Sequence, residues 1–316
     1  MKMRINEVKS MRNFRRILAG GLLAVCACGM LAGCGGNEPE SDTGSPTAPS
    51  KPDYTVSETV PTEQANADTF AVKNVAKKQN SPLDGKTVYW LGSSVTYGAA
   101  SEGESMADYL AALTGCVCKK EAVSGTTLFD DGGSGDSGAK SYTRRLVNST
   151  VFDKTEKIDA FVCQISTNDA RNDRLAYWGK MKPDVFDKSQ FDRKTTLGGA
   201  EFIIAYVIET WNCPVYFYSG GYFGDDGARK SSNPKGSQYG KLVDAVNKIA
   251  EKWTYDGYNV SVIDLYNDEE FNNAVSDDYY AWCMQDAIHP RRAGYLQWWT
   301  PYFVNKLETD LAAKNR

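Results

Sequence analysis

The sequence predicts an α/β protein: a three-layer α/β/α sandwich, doubly wound in the flavodoxin-like manner around a five-stranded parallel sheet. Three observations carry this. From residue 83 onward, short β-favouring apolar runs alternate with longer segments of helical periodicity. The runs have apolar centres, the habit of strands buried on both faces of a parallel sheet. Finally, each stretch bearing chemically useful residues follows one of these runs, where an open parallel sheet keeps its ligand site.

Strands are expected over 87–92, 119–123, 158–165, 214–219 and 259–265. Between the first two, "SMADYLAALTG" reads as a helix: Ser105 caps it with Asp108 three residues on, Met106, Tyr109, Leu110 and Leu113 share a face, and Gly115 ends it. Further helices are expected over 142–148, 197–210, 239–253 and 292–313, the last with Leu296, Trp299, Phe303 and Leu307 on an inward stripe. Trp282, Trp298 and Trp299 could offer a sugar-stacking platform, although the last two, on the closing helix, fit packing better.

The front of the chain reads as a targeting segment. Lys2, Arg4, Lys9, Arg12, Arg15 and Arg16 precede an apolar run from Ile17 to Met30 that is too short and glycine-rich for a membrane span. It closes with Leu31-Ala32-Gly33-Cys34. This opening resembles the lipobox of bacterial lipoproteins, which implies a signal peptide over 1–33, lipid attachment at Cys34 and residence in the cell envelope outside the cytoplasm. An ordinary secretory signal or an uncleaved anchor is the alternative. Residues 34–82, rich in Gly, Pro, Ser, Thr and acidic side chains, are expected to be a disordered tether to a folded domain over 83–316. Removal of 1–33 changes the net charge from −4 to −9, because six basic and one acidic residue leave with it. So acidic a domain is a poor nucleic-acid binder.

Of eight cysteines, five lie beyond Cys34. Cys163, Cys213 and Cys283 sit in apolar contexts as buried thiols; Cys116 and Cys118 are too close in sequence to pair comfortably with each other, and either could bridge to a distant cysteine. With a single histidine and no C-x-x-C spacing, no metal site is expected.

A serine hydroxyl needs a base within hydrogen-bond reach to act as a nucleophile, and usually a carboxylate behind that base. The first strand runs into Gly92-Ser93-Ser94, and the sole candidate base, His289, lies in "QDAIHPRRAGY" with Asp286 three residues before it. The second strand leads to "EAVSGTTLF", where Gly125 lets a backbone N–H approach a substrate; the third leads to "CQISTNDARND", where Asn168 can donate its amide.

These four blocks, in this order and at successive strand ends, resemble the SGNH hydrolase superfamily of GDSL-type esterases and lipases over residues 85–312. The resemblance implies Ser94 as nucleophile, His289 as base held by Asp286, and an oxyanion hole from the Ser94 and Gly125 N–H groups and the Asn168 amide. It implies no cofactor. Two positions depart from the family pattern: Ser93 stands where an Asp is usual, which leaves Ser93 as the alternative nucleophile, and Ser166 stands where a Gly is usual. The expected activity is hydrolysis of carboxylic esters through an acyl-enzyme, on a small-molecule or glycan ester, with a short acyl group such as acetyl favoured. A lipid-ester lipase or thioesterase and a catalytically weak glycan-binding lipoprotein are the alternatives. The long connection over 170–196 is read as a wall or cover of the site, with Arg171, Tyr177 and Trp178 as candidate substrate contacts, and the polar "FDDGGSGDSGAK" as a rim.

Overall fold

The computed structural model describes residues 62–130, 132, 141–225, 229 and 237–312. The expected signal, Cys34, residues 34–61 of the expected tether and most of the polar rim lie outside them. Five apolar runs form the strands β1 (Thr87–Gly92), β2 (Val117–Ala122), β3 (Ala160–Gln164), β4 (Val215–Tyr218) and β5 (Val260–Ile263). They pair in parallel in the order β2-β1-β3-β4-β5. The chain crosses from β1 to one side and then, after β2, to the other, so β1 and β3 flank the topological switch point.

Alternation along the strands divides the core in two. Tyr89, Leu91, Phe161, Cys163, Val215 and Phe217 face one layer. It is built by α3 (Tyr142–Asn148), α4 (Thr196–Trp211) and α5 (Gln238–Tyr255). Val88, Trp90, Ala160, Val162, Tyr216 and Tyr218 face the other, covered by α2 (Met106–Thr114) and the C-terminal helix. The central strands are buried on both faces, as expected, but β2 is not: residues 118–122 are only partly buried. As an edge strand it carries Lys119, Lys120 and Glu121, whose charged ends pair with Glu156, Asp108 and Arg145.

The Ser105–Asp108 capping box and the left-handed Gly115 bound α2 as the sequence predicts. The single closing helix expected over 292–313 is instead three joined pieces: α8 (Arg292–Gly294), a π-helical turn (Tyr295–Trp299) and α9 (Thr300–Ala312). The wider turn buries Tyr295, Trp298 and Trp299 together and leaves Leu296 only partly buried. Both tryptophans are therefore core, and Trp282 is buried edge-on to Phe70. Two short helices between β5 and His289 were not expected, α6 (Glu269–Asn273) and α7 (Asp277–Cys283).

The packed chain begins earlier than the expected residue 83. Residues 62–74 form three 3-10 turns laid across the domain as a strap, with Ala65 and Ala71 buried. Arg292 fastens it, donating its backbone N–H to Asn66 Oδ1 and Nη1 to the Asn66 carbonyl, both at 2.9 Å, while Nε and Nη2 engage Glu104 and Glu102. The Tyr109 hydroxyl adds a bond to the Phe70 carbonyl. None of the five cysteines beyond Cys34 forms a disulfide among the described residues; the Cys116 and Cys118 sulfurs, both on one side of β2, lie 3.8 Å apart and neither bridges to a distant cysteine.

The 170–196 connection is held from below by a buried ion pair. Glu201 is fully buried on α4, and burial raises its carboxyl while Lys252 of α5, 2.5 Å away, opposes that rise. The same ammonium donates to the Lys182 and Val185 carbonyls and lies over the Phe186 and Phe191 rings. Removing one partner of such a pair leaves the other charge buried alone. Lys252→Ala is accordingly expected to lose about 3–5 kcal/mol of stability in urea denaturation.

Candidate active site

After β1 the chain turns within two residues into a one-turn helix, α1 (Ser94–Tyr97). The turn is fixed by Gln164 at the end of β3, whose Oε1 accepts from Ser93 N (2.9 Å), Thr96 N (3.1 Å) and Thr96 Oγ1 (2.8 Å). Thr96 Oγ1 in turn meets the Tyr218 hydroxyl at 2.6 Å. These groups close over Gly92 so tightly that a Cβ there would stand 1.7 Å from Thr96 Oγ1. Arg145, largely buried on α3, donates to the Gly92 and Glu121 carbonyls and so ties the ends of β1 and β2. Tyr295 holds α1 from the far side through the Val95 carbonyl at 2.7 Å.

The only histidine is carried by a closed loop. Gln285 N donates to the His289 carbonyl, Met284 bridges Pro290, and Arg291 Nη1 donates to the Ala281 and Trp282 carbonyls at the end of α7. Within the loop Asp286 Oδ1 accepts from Ile288 N and His289 N, each at 2.8 Å, while the His289 Nδ1–H donates to the same carboxylate at 2.9–3.0 Å. One carboxylate therefore shapes the turn and orients the ring. Burial would raise the Asp286 carboxyl, but the bonds it accepts outweigh that and hold it below the usual aspartate range. With Nδ1 carrying the proton, Nε2 is the acceptor, and it receives the Ser94 Oγ–H at 2.7 Å. The imidazole meets Ser94, which is 8% exposed; Ser93 is fully buried beneath it.

The loops after β2 and β3 are joined by shared acceptors. The Thr126 carbonyl accepts from Ser166 Oγ (2.9 Å) and from Asn168 Nδ2 (3.1 Å). Ser166, the departure from the usual Gly, thus bridges the two loops and also accepts from Asn168 N. Since Nδ2 carries two hydrogens, the bond to Thr126 sets the amide plane and leaves one donor available. Gly125 has φ of +78°, and a Cβ on it would meet nothing within 4 Å, so its backbone borders open space. Neither Ser94 N nor Gly125 N is committed to an acceptor among the described residues. Fully buried Asp169 clamps the arrangement, accepting from Leu128 N and Thr196 Oγ1, both at 2.9 Å.

Two clefts open at the histidine loop, the smaller lined by His289 itself and the larger by Ala287 and Ile288 just before it. One, of about 520 Å³, is lined by residues including Thr167, Arg171, Phe223, Tyr239 and Ile288. The other, of about 390 Å³, is lined by Asn66, Ala99, Ala100, Glu102, Gln285 and His289. Arg171 is therefore in the first cleft, while Tyr177 lines a separate one. Trp178 is turned to structural use: its indole N–H donates to the Asp169 carbonyl at 2.8 Å and its ring packs on the core.

Sequence reasoning missed Gln164, Arg145 and Asn66. Gln164 had a signal, being the one polar residue in the apolar run "AFVCQI", since a buried amide must find partners. Asn66 had none, because its segment is polar and its partner is Arg292.

No family model and no curated protein matches the chain. One solved structure aligns over 72% of this chain and 98% of its own at 19% identity with a TM-score of 0.53, a likeness of fold. Also similar are a carbohydrate esterase family 2 enzyme with a carbohydrate-binding domain from Corynascus thermopiles (17% identity, 75% and 68% of the two chains, TM-score 0.46) and a carbohydrate acetylesterase family member from Sinorhizobium meliloti (14%, 72% and 99%, 0.44).

Burial raises the Asp169 carboxyl to about 6, the bonds from Leu128 and Thr196 only partly opposing it. The folded protein therefore holds this proton more tightly than the unfolded chain, and the group's contribution to stability falls as pH rises from about 4 to about 6. In urea denaturation, the stability of the wild type relative to Asp169→Asn is expected to drop by about 2 kcal/mol between pH 4 and pH 6.5.

Proposed function

We propose that the protein is a serine ester hydrolase of the SGNH type that removes short acyl groups, acetyl foremost, from a carbohydrate. The observation that carries this is the hydrogen-bonded line from Ser94 Oγ through His289 to Asp286. Ser94 Oγ attacks the ester carbonyl carbon as Nε2 takes its proton. Charge developing on the carbonyl oxygen is met by Ser94 N, Gly125 N and the free Asn168 donor. Collapse expels the alcohol, which leaves with the proton from His289. Water, deprotonated by the same nitrogen, then attacks the acyl-enzyme, and its collapse returns the proton to Ser94 and frees the acid.

A short acyl group is favoured by the smaller cleft. Its lining pairs two alanines with Asn66, Glu102 and Gln285, so a long alkyl chain would gain little from leaving water. The larger cleft mixes aromatic rings with hydrogen-bonding groups, as suits a sugar. We further propose that Cys34 carries the lipid anchor and holds the domain at the outer face of a bacterial membrane; among the described residues no helix is long and apolar enough to cross one.

Against a series of 4-nitrophenyl esters from acetate to palmitate, activity is expected to peak at acetate, with acetate release from an acetylated glycan. Ser94→Ala should lower kcat by about 10³-fold or more, whereas Ser93→Ala should retain activity within about tenfold. The opposite result for the two serines would overturn the assignment. Cys34→Ser is expected to move the protein from the membrane fraction to the soluble one.

A further inference from the structure

Beyond the clefts at the histidine loop lies a third, of about 520 Å³, lined by Phe129, Asp130, Arg144, Asp173, Arg174, Tyr177 and Lys194 among others. Asp173 borders both this cleft and the larger one beside the histidine loop, so the two are neighbours along one surface. Tyr177 is 49% exposed, yet its ring is stacked flat on buried Phe129, 4.9 Å between centroids and 6° between planes. An exposed aromatic face braced in this way is a rigid platform for the apolar face of a ring.

The charges around it do not cancel. Arg144 pairs with Asp130 at 2.6 Å and Arg171 with Asp173 at 3.3 Å, whereas Arg174 is 3.9 Å from Asp173 and Lys194 makes no ion pair among the described residues. Among the described residues that line the cleft, Arg144, Arg174 and Lys194 face only Asp130 and Asp173, a surplus of one cation on a chain whose net charge is −4. Such a local reversal selects an anion, and a planar guanidinium beside an ammonium suits a carboxylate.

We infer that this cleft is a subsite for an anionic sugar residue of a polymeric substrate, its ring on Tyr177 and its carboxylate between Arg174 and Lys194. The inference rests on the glycan-ester reading above and narrows it to acidic glycans. A chain with its ester at Ser94 passes over the 172–177 turn and meets the platform with a neighbouring residue.

The test is calorimetric titration of the Ser94→Ala protein, which binds without turnover, using a xylo-oligosaccharide with a glucuronosyl branch and its neutral counterpart of equal length. The acidic probe is expected to bind about tenfold tighter, a preference that shrinks with added salt. Arg174→Gln and Lys194→Gln should each erode the preference, Lys194→Glu should abolish it, and Tyr177→Ala should weaken both probes. Equal binding of the two probes, or a preference that survives Lys194→Glu, would overturn the inference. Failure of the esterase reading shows separately, as absence of Ser94-dependent acetate release by the wild type from any ester.

Discussion

Three hydrogen bonds converge on a single oxygen, Gln164 Oε1, and the candidate site depends on that convergence. The amide stands at the end of β3 and accepts from both sides of the turn that follows β1, so the two strands flanking the switch point are locked at their carboxyl ends. An acceptor buried in the sheet cannot exchange its donors for water, which makes the arrangement all-or-none. Everything that positions Ser94 follows from it: the lack of room at Gly92, the single helical turn of α1, and the bond from Tyr295 that closes the far side.

Around this point the protein keeps several charges out of water, each with a geometric task. Arg145 holds the ends of β1 and β2 by their carbonyls, Asp169 holds the Gly125 and Asn168 loops against α4, and Lys252 with Glu201 holds the base of the 170–196 connection. Apolar residues of similar volume would pack as well, but they have no directional bonds with which to fix loop backbone. Their common feature is that they act on carbonyls and amides where regular structure ends.

What was legible in the sequence was what local pattern determines. The central strands announce themselves by apolar runs, α2 by its cap and its glycine stop, the Ser94, Gly125 and Asn168 blocks by small or polar residues soon after strands, and the His289 block by the chain's single histidine with Asp286 three residues before it. What was not legible depends on partners distant in the chain. Gln164 acts on residues 68 and 71 positions away, and Asn66 on one 226 away. The strap over 62–74 reads as solvated chain because polar bonds to Arg292 supply much of its attachment. Edge position escaped too, since a strand's place in a sheet is set by its neighbours, and only the Lys119-Lys120-Glu121 run hinted at it. The π turn shifts the phase of an otherwise regular stripe by one residue, a slip that periodicity averages away.

The strap also defines how force enters the molecule. Any pull on the chain upstream of Thr62 arrives first at the Asn66–Arg292 bonds, and Arg292 opens the helix three residues after His289. Glu102 and Glu104 grip the same guanidinium and share that load with the loop beyond α1. Tension from the N-terminal side is thus delivered to the segments carrying both ends of the Ser94–His289 hydrogen bond, so its two sides are loaded together instead of being drawn apart.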